Sequence, residues 1–195
     1  MYVSAETIHE LELEFGTPRE INLAYEMTES ELDAVRRSQK HGRAHDVTLF
    51  IFIKGELVVI RKPMYPPGAY RAPSGGIEPG EPFEQGAVRE AHEETGLVVS
   101  LDKYILRARV RFSHGDESID WTSHVFLASP IGGELTPVDT DEIVEARVVG
   151  TRDLMGPIKQ ALIESGSTGL RYRSDLNDIV MRELRREYLK TDLDQ

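Results

Sequence analysis

Between Gly75 and Leu97 the chain reads GGIEPGEPFEQGAVREAHEETGL, and its spacing admits essentially one local structure. Gly80-Glu81-Pro82 has the character of a helix start, with Pro82 in the tolerated first turn and acids near the N-terminal dipole. Thr95-Gly96 has that of a stop, with Gly96 as the left-handed cap. Between them Phe83, Ala87 and Ala91 recur every four residues as an apolar stripe. Glu90, Glu93 and Glu94 stand at i, i+3 and i+4 and so share one face of the helix within an arc of roughly 100°. Like charges at that spacing destabilise a bare helix by roughly 0.2–0.5 kcal/mol per pair, so a positive partner is needed. Three carboxylates converging on one spot are hard oxygen donors suited to Mg²⁺ or Mn²⁺, and Arg89 is placed to hold one of them. Gly86, one turn before Glu90, costs about 1 kcal/mol relative to Ala in mid-helix, which implies that another group approaches closely there. A solvated acidic face would explain the glutamates alone, but not the loop glycines, the Arg89-Glu90 pair and the fixed distance to Glu81 together.

With those residues in view, the segment resembles the Nudix box, G-x5-E-x7-R-E-U-x-E-E-x-G-U, where U is a bulky aliphatic residue. Gly75, Glu81, Arg89, Glu90, Glu93, Glu94, Gly96 and Leu97 fit. Ala91 stands where the first U would be. The resemblance implies an α/β fold, a Nudix-type α/β/α sandwich with a mixed sheet and a central loop-helix-loop. It also implies a hydrolase that cleaves a diphosphate bond in a nucleoside diphosphate-linked substrate: a nucleotide sugar, a dinucleotide or a nucleoside triphosphate.

Composition bounds the rest. The chain has 195 residues, 39% hydrophobic and 29% charged, in the range of one soluble globular domain. With no cysteine, thiolate metal sites, disulfides and thiol nucleophiles are excluded. The net charge of −11 disfavours general nucleic-acid binding, which needs a basic face. It permits a phosphorylated small-molecule substrate, because divalent ions bridge two anions. No apolar run reaches membrane-spanning length, the start MYVSAETIHE lacks signal-peptide character, and a cytoplasmic location is expected.

Along the chain, residues 9–15 (HELELEF) alternate and predict a half-buried strand. Thr28-Glu29-Ser30-Glu31 is a capping box that predicts a helix to about Lys40. Val47–Ile53 and Leu57–Lys62 flank Lys54-Gly55-Glu56 and predict a hairpin, and residues 63–80 predict loop. Further strands are expected at about 98–100, 104–112, 123–128 and 143–149, then helices at about 151–165 and from Ser174 to about Leu189. The expected division is an extension at 1–45, strand plus helix, and a hydrolase domain at 46–195 with C-terminal helices. Leu11, Leu13 and Phe15 need a partner surface. Family members with such an extension often use it in a homodimer, which is the expectation; packing on the chain's own sheet is the alternative.

The resemblance also assigns candidates outside the helix. Pro73-Ser74-Gly75-Gly76 matches a family loop that presents backbone N–H groups to phosphate, so Gly75 and Gly76 are substrate-binding candidates. Arg61, at a strand end where members carry a basic residue, and Arg71 in the pre-box loop join them. VDTDEIVEARVV resembles the segment supplying an extra acid; Glu142 is the first candidate, with Asp141 and Glu145 as rivals. Glu90, Glu94, Glu93 and Glu81 are the metal-ligand candidates, and Glu93, Glu142 and Arg89 the catalytic ones, with Glu93 and Glu142 both open as general base. Glu94→Gln is expected to abolish turnover and leave the fold intact. Members acting on ADP-ribose often carry a Pro about sixteen residues past the box. Ser113-His114 occupies that place here, which counts against ADP-ribose. Trp121 reads as packing before base stacking, and His41, His45, His114 and His124 as surface or packing residues. The alternative to an enzyme is a ligand sensor that keeps the fold with weak turnover.

Overall fold

The structure, a computed structural model, describes residues 3–193. In chain order its elements are α1 (Ala5–Phe15), β1 (Arg19–Glu26), α2 (Glu29–Ser38), β2 (His45–Ile53), β3 (Glu56–Arg61), β4 (Ser74–Gly75), α3 (Phe83–Thr95), β5 (Leu97–His114), β6 (Glu117–Gly133) and β7 (Glu145–Val149). A helical run follows, in which α4 (Thr151–Asp153) passes through a π turn at Leu154–Ile158 into α5 (Lys159–Glu164), and α6 (Thr168–Leu193) closes the chain.

The strands run β1-β5-β6-β2-β3-β7, with β4 added to β2. β1 is parallel to β5 and β2 parallel to β6, while β5–β6, β2–β3 and β3–β7 are antiparallel. The sheet is therefore mixed. Strand alternation sorts its side chains onto two cores. Val47, Leu49 and Ile51 of β2 face a cluster capped by α1 and α3, and Phe50 faces a second cluster packed by α2, the α4–α5 run and α6. This is the α/β/α sandwich with helices on both faces.

The β2–β3 hairpin turns at Lys54 and Gly55, both with positive φ (52° and 86°), the pairing expected of a two-residue turn between right-twisted strands. Only Phe52↔Leu57 and Ile53↔Glu56 pair directly. Beyond them the strands part, and the two-residue β4 takes the vacated edge of β2 (Val47↔Gly75, Thr48↔Ser74). The 63–80 stretch is thus not all loop, and this short strand fixes Gly75 beside α3.

Residues 9–15 are helical, not a strand. Ser4 caps α1 by accepting the Thr7 N–H at 3.0 Å, and the buried side is Ile8, Leu11 and Phe15, spaced three and four apart as a helix requires. Leu13 is 74% exposed. Phe15 meets Phe126 edge-on with centroids 5.7 Å apart, so the apolar residues of the extension pack on the chain's own sheet. The strand of that region is β1, whose Ile21, Leu23 and Tyr25 alternate toward the core. The capping box at Thr28 and Glu31 is present, and α2 ends at Ser38, before a 3-10 turn over Lys40–Gly42.

α6 begins six residues earlier than the local pattern at Ser174 suggests. Its first N–H groups are satisfied from a distance: the Thr168 N–H and the Ser167 hydroxyl donate to the Glu31 carboxylate of α2 at 2.7 and 3.0 Å. Among the described residues no helix is long and apolar enough to cross a membrane.

Candidate active site

α3 forms as its sequence dictates. Phe83, Ala87 and Ala91 are buried against the sheet, Pro82 is the N-cap, and Gly96 ends the helix at φ 77° with its N–H on the His92 carbonyl at 2.7 Å. The opposite face carries the carboxylates into a cleft of about 1010 Å³.

Arg89 gathers three of them. Its Nε and Nη2 donate to Glu81 at 2.9 and 3.0 Å, and its Nη1 donates to Glu90 and to Glu93, each at 3.0 Å. Nη2 also donates to the Gly76 carbonyl at 2.8 Å. The guanidinium, then the Glu78 backbone N–H, holds the Glu81 carboxyl below the usual range. Gly86 has the close neighbour its presence in mid-helix implies: a Cβ there would stand 2.6 Å from Glu81 Oε2.

Glu90 is mostly buried. It accepts the Gly76 N–H at 3.0 Å, and a Cβ on Gly75 would overlap its carboxylate. Burial, and then the Glu94 charge, raise its pKa against the pull of Arg89. Glu94 is 5% exposed and pairs with the equally buried Arg71 at 3.0 Å. Its second oxygen accepts the Ser74 N–H at 2.7 Å. Glu93 is the most open of the cluster, its side chain 43% exposed with Oε2 on Arg89.

The remaining candidates divide. Arg71 lines the cleft, but all its nitrogens are engaged, by Tyr65, Ala72, Ser74 and Glu94. It is a buried support for Glu94, with no donor left over. Arg61 does not line the cleft; it lies 3.5 Å from Glu145, which also accepts the Tyr70 hydroxyl. Its neighbour Lys62 does line it and pairs with Glu142 at 2.6 Å. Glu142 therefore faces the cleft while Glu145 turns to Tyr70. Asp139 fixes that turn by accepting the Asp141 and Glu142 N–H groups at 3.1 and 3.0 Å. The whole loop docks on α3, where the Glu93 carbonyl accepts the Val138 and Asp139 N–H groups. Trp121 is buried in the core with an edge on the cleft.

Sequence reasoning missed the facing wall. Arg37 of α2, Lys40 and Arg43 behind it, and Arg173 of α6 line the same cleft. Left-handed His41 (φ 57°) and Gly42 (φ 78°) turn the chain there, and the Arg43 guanidinium lies where a Gly76 side chain would be. Arg173 is tied to buried Asp46 at 2.9 Å. A helix end followed by His41-Gly42-Arg43 was the only local signal; the rest is tertiary.

Among the described residues no three acidic or histidine side chains stand in a ligand-ready group, because their oxygens are turned to the arginines. The donor chemistry nevertheless fits a divalent cation. Glu81, Glu90, Glu93 and Glu94 carry four negative charges against two positive on Arg71 and Arg89, a surplus of two, on hard oxygen donors.

Comparison with known proteins gives the same direction. A family model for the NUDIX domain matches residues 42–166, well over half of the chain. The NAD-capped RNA hydrolase NudC of Stutzerimonas stutzeri is 36% identical over 92 residues, 47% of this chain and 31% of that protein, so this chain matches about a third of that relative's length. Two solved structures share the fold. One is a UDP-X diphosphatase (TM-score 0.52, 16% identity, 82% of this chain and 73% of the other). The other is the pyrophosphohydrolase BsRppH of Bacillus subtilis (TM-score 0.51, 19% identity, 73% and 81%).

Proposed function

This chain belongs to the Nudix family, and from that premise we propose that it is a Mg²⁺-dependent hydrolase of a diphosphate bond in a nucleotide-type substrate. The observation that carries the proposal is the cluster on Arg89. One guanidinium holds Glu81, Glu90 and Glu93 within 3.0 Å while a surplus of two negative charges faces a cleft large enough for a nucleotide. Relatives named as hydrolases and pyrophosphohydrolases support the same reading.

Glu90, Glu93 and Glu94 would hold the ion, with Glu81 acting through Arg89. When bound, a divalent cation neutralises the diphosphate and acidifies water at the site. The chain's own residues do the rest. Arg71 and the Ser74 N–H fix Glu94; the Gly76 N–H fixes Glu90. A water oxygen attacks one phosphorus, the anhydride P–O bond breaks, and a carboxylate takes the water's proton. Glu93, with one oxygen on Arg89, and Glu142, paired only with Lys62, are the two groups open enough to accept it.

The test is a screen of nucleotide sugars, dinucleotides and nucleoside triphosphates with and without Mg²⁺, reading released monophosphate or phosphate. Divalent-dependent release of product, with a thermal midpoint that rises on adding Mg²⁺, supports the proposal. Nucleotide binding without turnover across the panel would instead support a ligand sensor.

A further inference from the structure

The acidic wall occupies one side of the cleft, and hydrolysis as described gives the opposite side no task. Four basic side chains line that side: Arg37, Lys40, Arg43 and Arg173. Arg173 is neutralised by Asp46, as Lys62 is by Glu142. Arg37 and Arg43 differ. Among the described residues neither makes an ion pair; Arg43 gives one bond to the Ser38 carbonyl at 3.1 Å, and its Nε is buried with no partner. Acidic residues outnumber basic ones 34 to 23 in this chain, so two guanidiniums left without a carboxylate on one cavity wall stand apart. Arg43 is also placed deliberately. The left-handed turn at His41-Gly42 brings it back onto Gly76, the glycine whose N–H holds Glu90. It therefore stands at the junction of the two walls, with Arg37 further along. A guanidinium fork matches phosphate oxygens bidentately, and a cleft of about 1010 Å³ exceeds what a diphosphate alone fills.

Building on the hydrolase reading, we infer that Arg37 and Arg43 form an anion subsite for a phosphate of the substrate other than the two joined by the scissile bond. The subsite lies at the margin of the family-matched region, Arg37 ahead of residue 42 and Arg43 just inside it. It selects nucleotides with a further phosphate over nucleoside diphosphates joined to an uncharged group. Arg37 and Arg43 are specificity determinants, outside the group that performs the chemistry.

Two measurements on the full chain test this. The first is the ratio of kcat/KM for a nucleoside triphosphate to that for a nucleoside diphosphate hexose, with Mg²⁺. The second is metal-free calorimetry of inorganic tripolyphosphate against pyrophosphate, which needs no turnover. Arg37→Gln and Arg43→Gln should each lower both ratios by roughly tenfold, the worth of one charge-assisted contact, with the kinetic loss in KM. Arg43→Lys should restore part of it. Arg37 is exposed, so its variant reports on charge without disturbing the Gly76 loop. Unchanged ratios in both variants, or equal losses on both substrates, would overturn the subsite. Arg-dependent tripolyphosphate binding with no hydrolysis of any substrate would sink the hydrolase reading and leave the subsite supported. Hydrolysis with Arg-independent selectivity would do the reverse.

Discussion

Glu93 and Glu94 are adjacent in sequence and opposite in environment. Glu94 is sealed against Arg71, their side chains 6% and 4% exposed, whereas the Glu93 side chain is 43% exposed. Removing one partner of a buried pair strands the other charge at about 3–5 kcal/mol. Losing an exposed pair costs about 1 kcal/mol or less. Glu94→Gln keeps an oxygen for Ser74 but leaves Arg71 without a counter-charge, so it should lower the thermal midpoint by several degrees as well as reduce turnover. This differs from the intact fold that the helix pattern alone implies. Glu93→Gln should melt within a degree or two of the parent while kcat falls by at least tenfold. Matched thermal melts and kcat values decide it, and a Glu94→Gln protein as stable as the parent would refute the structural role of the pair. The carboxylate spacing on α3 was legible because i, i+3 and i+4 fix a shared face. That Arg71, 23 residues earlier, pins Glu94 was not, because no local period links a loop arginine to a helix.

At the scale of elements, the capping box of α2, the hairpin β2–β3 and the box helix were legible because each carries its own start or stop chemistry. α1 was misread because alternation over seven residues also satisfies a helix: Leu11 and Phe15 face inward, and Leu13 is the residue that betrays the period. Leu11→Ala should therefore cost about 2–5 kcal/mol and Leu13→Ala less than about 0.5 in denaturant unfolding. A half-buried strand would make the two losses equal. β1 was missed altogether, since its pattern is completed only by pairing with β5. Strands β2 and β6 also set a pH dependence. Burial pushes His45 down to about 4, and burial, then the nearby His45 charge, pushes His124 down to about 3. Both pKa values lie below the ordinary 6.5, so the unfolded chain binds protons that the folded one refuses. Their stability is complete above about pH 6.5 and is lost as pH falls toward 4 and then 3. Each contributes at most about 1.4 kcal/mol per pH unit. Glu90, with a raised pKa, works in the opposite sense, but only close to the carboxylate range. Denaturant midpoints between pH 7 and 5.5 should fall steadily. A flat profile there would mean that one or both histidines are charged in the fold.

For the whole molecule, the sandwich and its acidic wall were visible in advance, while the basic wall was not. Its parts come from residues 37–43 and 173, and nothing in either segment announces the other. The packing of Leu11 and Phe15 on Phe126 also removes the uncovered apolar surface that motivates a homodimer through residues 1–45. A dimer would have to use other surface, such as the outer edge of β1. Light scattering separates the cases, at 22.0 kDa for one chain or twice that for two. Deleting residues 1–45 should give a destabilised, aggregation-prone protein, because it strips β1 from β5 and uncovers Phe126. A well-folded truncated chain with the parent's melting point would contradict this.

The parallel pairing of β1 with β5 has a consequence for how the chain is made. Arg19 aligns with Leu106 and Glu26 with Ser113, so the first strand to emerge from a ribosome meets its partner only after some 87 further residues. At about 5–20 residues per second that is several seconds. Over the same interval β2 also waits for β6, its partner at 122–128. The earliest strand is thus the last to be enclosed, and until then its open backbone is an edge to which a neighbouring nascent chain can add.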